Sequence, residues 1–83
     1  MKPDSRLTID LAADCAYFQF SQNPIATTSP LTDLLNVDLD SSGHLVGLEL
    51  LAIEAEVPFH ALVRDYQLSE KNRRDLEAAL ALL

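Results

Sequence analysis

Two glycines, one cysteine, one methionine and no tryptophan are present among the 83 residues of this chain. With Gly43 and Gly47 as the whole glycine complement, no glycine-rich loop can cradle a phosphate. A single cysteine, Cys15, forbids an internal disulfide and fits a reducing compartment. His44 and His60 stand without a neighbouring Cys or His, which argues against a zinc site. No apolar run reaches membrane-spanning length, since Leu45 to Ile53 is interrupted by Gly47 and Glu49. Residues Met1 to Arg6 lack the apolar core of a signal peptide, so a soluble cytoplasmic chain of one domain, residues 1–83, is expected.

Positive charge is also scarce. Six Lys and Arg face thirteen Asp and Glu, for a net charge of −7. From Met1 to Glu56 nine acids meet only Lys2 and Arg6, so the entire net charge sits there. From Val57 onward four acids balance four bases. An acidic sheet repels phosphate backbones, which disfavours nucleic acid, and it can steer a basic protein partner. The plainer alternative is that acids keep a small protein soluble.

What is present centres on residues 38–49, Asp-Leu-Asp-Ser-Ser-Gly-His-Leu-Val-Gly-Leu-Glu. Asp38, Asp40, Ser42, Gly43, Leu45 and Glu49 fill positions of a calcium loop that require oxygen ligands, a sharp turn and an apolar residue. Such a loop also needs a helix on each side. Instead Leu35, Val37 and Leu39 alternate with Asn36, Asp38 and Asp40, and Val46, Leu48 and Leu50 alternate with Gly47, Glu49 and Leu51. Two period-two runs joined by Asp-Ser-Ser-Gly predict a β-hairpin, because Asp and Ser bond their own backbone and Gly accepts positive φ. Asp38, Asp40, Gly43 and Gly47 are therefore assigned as structural turn residues. A weak, partly hydrated cation at the turn is the calcium alternative that the hairpin leaves open.

The remaining elements follow from the same periods. Leu7 to Ile9 predicts a first strand, Asp10 to Asp14 a tight turn with an Asx residue at each end, and Cys15 to Phe20 a second strand. That second strand places Ala16, Phe18 and Phe20 opposite Cys15, Tyr17 and Gln19. Ile25 to Thr28 predicts a proline-flanked edge strand, followed by hairpin strands over Leu34 to Leu39 and Leu45 to Leu51. The period then changes to helical: a helix from about Val57 to Gln67, and a second one capped by Ser69 and running to the C-terminus. The expected fold is α+β, a four- to five-stranded mostly antiparallel sheet over about 6–52 and two C-terminal helices over about 55–83 on one face.

Residues Leu7 to Phe20 and Val37 to Leu51, taken together, resemble a small bacterial family known only as a domain of unknown function, DUF2283. Its pattern is a strand, an Asp-x-x-x-Asp turn, an aromatic-bearing strand, then an acidic, glycine-bearing hairpin. Asp10, Asp14, Tyr17, Asp38, Asp40, Gly43, Val46, Gly47 and Glu49 fall on it. Cys15 and Ala16 depart from it, and the helical tail is not attributable to the family. The resemblance implies the sheet fold and no catalytic activity.

No residue set for catalysis or for a cofactor emerges. Cys15 lacks a neighbouring base, and Asx-turn geometry accounts for Asp10 and Asp14 without chemistry. Tyr17 is a candidate partner contact, with packing under a loop as the alternative. Leu76, Leu80 and Leu83, in a terminal helix with more apolar surface than one small sheet can cover, are the other interface candidates and predict a homodimer. The expected function is a small acidic non-catalytic module acting by protein–protein interaction and self-association. The alternative is an antidote or inhibitor that neutralises a basic protein, as small accessory proteins of bacteria or phages do.

Overall fold

The computed structural model describes residues 6–83. Five strands come first: β1 (Arg6–Asp10), β2 (Cys15–Gln19), β3 (Thr27–Thr32), β4 (Leu35–Leu39) and β5 (Leu45–Leu50). Two helices follow, α1 (Phe59–Tyr66) and α2 (Glu70–Leu80). The sheet order is β1-β2-β5-β4-β3, with every neighbouring pair antiparallel. Two hairpins, β1–β2 and β4–β5, are thus zipped together along β2 and β5. The connection after Phe20 carries the chain across to the far edge, where β3 lies.

One face of the sheet is the core. Ala16, Phe18, Phe20, Leu35, Val37, Leu48 and Leu50 form one buried cluster with Leu62 of α1, Leu76 of α2 and Leu68 between them. Both helices therefore pack on that face, where the hydrophobic effect favours covering it. Phe18 and Phe20 meet edge to face with ring centroids 5.0 Å apart. A register shift between Asp38 and Leu39 leaves Val46 as an extra residue in β5, and the resulting bulge brings Leu45 into the core.

The third strand departs from expectation. It runs over Thr27–Thr32 instead of Ile25 to Thr28, and it contains Pro30. Proline lacks the N–H that a central ladder needs, and β3 tolerates it because it is an edge strand. The register of β3 on β4 shifts between Pro30 and Thr32. The first helix is also shorter than Val57 to Gln67, because Pro58 stands before it with ψ 80, outside the helical region. Its far end closes when Gln67 adopts φ 56 and the Leu68 N–H donates to the Leu62 carbonyl at 3.2 Å, which turns Leu68 into the core. The Ser69 side chain accepts from the Asn72 N–H, capping α2 as its position predicts. Arg73 bridges Glu70 and Glu77 along the exposed side of that helix.

Among the described residues, no helix is long and apolar enough to cross a membrane.

Candidate functional site

The sheet face away from the helices carries polar side chains in rows set by the register. Tyr17 is paired with Glu49, and Glu49 with Asn36. In the next row Gln19 is paired with Gly47, Gly47 with Asp38, and Asp38 with Thr28. The hub of these rows is Asp38, only 7% exposed. Its Oδ2 accepts the Tyr17 hydroxyl at 2.8 Å and its Oδ1 accepts the Thr28 hydroxyl at 2.5 Å. A buried carboxylate is expensive unless hydrogen-bonded, and both oxygens here are satisfied. The same arrangement drives the Tyr17 pKa far above its ordinary value: burial disfavours the phenolate first, and the Asp38 bond and charge add to it.

Gly47 makes this bridge geometrically permissible. A Cβ there would fall on the hydroxyl and Cζ of Tyr17, so the phenol ring crosses β5 where β5 has no side chain. Gly47 is therefore not a turn residue, as the spacing had suggested, but a passage in mid-strand for a ring from β2. The Tyr17 hydroxyl is committed within the molecule, while the side chain as a whole stays partly exposed. Nothing local in the sequence announces this, because the encounter depends on β2 pairing with β5, strands far apart in the chain.

The calcium-loop residues are distributed, not gathered. Asp38 faces Tyr17 and Thr28, and Glu49 accepts from Asn36 Nδ2 at 3.0 Å. Asp40 alone serves the turn: its Oδ1 accepts from the N–H groups of Ser42 and His44, and its Oδ2 accepts from Asn23 Nδ2. The Asn23 bond above all, with the backbone donors, holds the Asp40 carboxyl below its ordinary range. Gly43 takes φ 83, as the hairpin requires. Among the described residues no group of three or more His, Cys, Asp and Glu is placed to hold a metal ion. Asp10 and Asp14 are turn residues: Asp10 Oδ1 accepts from the Ala13 N–H, and Asp14 adopts φ 52. Cys15 is half-buried on β2.

The terminal helix uses more of its apolar stripe internally than its composition suggests. Leu76, expected at an interface, is completely buried, because the 3.6-residue period turns it onto the sheet. Leu80 is half-buried against the core, while Leu83 keeps 41% of its surface and Leu82 keeps 80%.

A second feature lies at the end of the sheet where the β3–β4 turn meets the linker to α1. There an open groove of about 570 Å³ is floored by Leu34, Ala55 and Val57. Asp33, Glu54 and Glu56 line the same groove and are exposed. Among the described residues, no Lys or Arg lines it. The acidity of this half of the chain is legible in the sequence, but the groove is not, because it forms only when the turn at Asp33 and the linker at Glu54–Glu56 come together.

A family model described as protein of unknown function (DUF2283) matches residues 6–53, more than half of the 83-residue chain. The matched stretch contains all five strands and ends before α1. Comparison with curated proteins and with solved structures gave no match.

Proposed function

The chain belongs to the DUF2283 family, and we propose that it is a non-catalytic interaction module that binds a basic, apolar-bearing segment of a protein partner. The groove carries this reading. Its floor of Leu34, Ala55 and Val57 offers apolar area, and Asp33, Glu54 and Glu56 offer negative charge beside it. A segment alternating Lys or Arg with Leu or Ile satisfies both at once. The net charge of −7, all of it within residues 1–56, adds long-range attraction for such a partner and repels nucleic acid.

A non-catalytic role is supported by the state of the carboxylates on the open face. Asp38 and Asp40 spend both oxygens on hydroxyl, amide and backbone donors inside the fold, and Glu49 Oε1 accepts from Asn36. A cytoplasmic antidote that neutralises a basic protein is the form of this function that the charge pattern favours.

The test is fluorescence anisotropy with a labelled peptide of alternating Lys and Leu. Wild-type protein should bind it with an affinity that falls as salt rises. The paired reversal Glu54→Lys and Glu56→Lys should weaken binding about tenfold or more, as rim charges set attraction and like charges repel. Equal binding by that variant, or equal binding of an acidic peptide, would overturn the reading.

A further inference from the structure

We propose that two copies of this chain associate through β1, edge to edge and antiparallel about a two-fold axis at Thr8, so that one continuous sheet runs through both.

The two edges of the sheet are treated differently. The β3 edge is guarded by Pro30 and by the register shift between Pro30 and Thr32, devices that blunt strand addition. The β1 edge has neither. It runs five residues, Arg6–Asp10, with no proline and no register shift against β2, and among the described residues no strand lies on its outer side. Natural sheets rarely leave such an edge free, because its unpaired N–H and C=O groups template another strand.

A second observation lies beside it. Ile9 pairs with Ala16, a core residue, and so stands on the helix-bearing face. It is nevertheless 41% exposed, and the adjoining Leu11 is 79% exposed. Leu7 packs against the core, but Ile9, two residues on along the same face, is left partly without cover.

The sequence of β1 identifies the occupant as a second copy. In an antiparallel ladder, residues directly opposite share a face. The helix-bearing faces of two copies can therefore coincide only in registers centred on a residue, and centring on Thr8 alone pairs every position of the strand. That register sets Leu7 against Ile9 of the second copy on the apolar face, Thr8 against Thr8 on the polar face, and Arg6 against Asp10, residues of opposite charge. Apolar meets apolar, and β-branched meets β-branched. The strand reads as its own complement, and an isologous two-fold contact is the closed arrangement that such a patch produces.

Light scattering and sedimentation of the full chain from micromolar to hundreds of micromolar provide the test. Wild-type protein should show twice the chain mass at the upper end. Thr8→Lys places two ammonium groups against each other across the axis and should raise the dimer dissociation constant about tenfold or more. Ile9→Lys should do the same by removing the apolar pair. Thr8 and Ile9 are both exposed, so the circular dichroism spectrum should stay unchanged. As an independent measurement, Thr8→Cys in a Cys15→Ser background should oxidise to a covalent dimer, since opposed Cα atoms in a ladder lie within disulfide reach. Thr27→Cys on the β3 edge should not. A monomeric wild type at the highest concentration overturns the proposal. So does a dimer that survives both lysine variants, or equal cross-linking from Thr27.

Discussion

Gly43 and Gly47 are four residues apart and are glycine for unrelated reasons. Gly43 takes φ 83, and a Cβ there would meet nothing within 4 Å, so its requirement is backbone sign alone. Gly47 has no such φ, and a Cβ there would overlap Tyr17. Gly47→Ala must push the phenol off Asp38 and leave a buried carboxylate oxygen without its donor, at a cost of about 2 kcal/mol. The same substitution in a Tyr17→Ala background should cost well under half as much, because the ring it displaces is gone. Urea unfolding of the four proteins of that cycle measures the coupling, and equal costs in both backgrounds would dismiss the ring-over-glycine contact. The turn glycine was legible in the sequence because Asp-Ser-Ser-Gly is a local signal. The role of the mid-strand glycine is not a local signal, because only the pairing of β2 with β5 reveals it.

At the level of elements, period-two alternation locates β2, β4 and β5 to within a residue or two, the apolar, β-branched run Leu7 to Ile9 locates β1, and Ser69 marks the start of α2. The position of β3 was not legible, since Pro24 and Pro30 flank the apolar Ile25 and a proline inside a strand is tolerated only by its edge location, a fact of the whole sheet. The β4–β5 hairpin makes its own prediction. With Asp40 committed to the turn, Asp38 to two hydroxyls and Glu49 to Asn36, calcium gains no ready cage. Millimolar calcium should leave the far-ultraviolet circular dichroism and the urea midpoint unchanged. A global spectral change or a marked rise in midpoint would show that the hairpin rearranges into a helix-flanked loop. The cap can be probed equally directly: Ser69→Ala should destabilise the protein by about 1 kcal/mol, through loss of the bond from the Asn72 N–H. A change within error in the same urea experiment would mean that α2 is held by the packing of Leu76 alone.

Over the whole molecule, charge and apolar surface are both unevenly placed, and the unevenness is what the fold turns into surfaces. The acids of residues 1–56 were countable in the sequence, but their convergence on an apolar groove was not, because Asp33 and Glu54 are brought together by the closure of the sheet and not by spacing. Leu76 shows the reverse: counting leucines in the terminal helix suggested surplus surface, and packing against the sheet consumed much of it. The groove is where the proposed interaction is most exposed to refutation. An amide chemical-shift map of isotope-labelled protein, titrated with the alternating Lys and Leu peptide, tests it residue by residue. The largest shifts should fall on Asp33, Leu34 and Glu54 to Val57, and they should shrink as salt is added. Shifts spread evenly over the acidic surface, or centred on the Tyr17–Asp38 face, would contradict recognition through the groove.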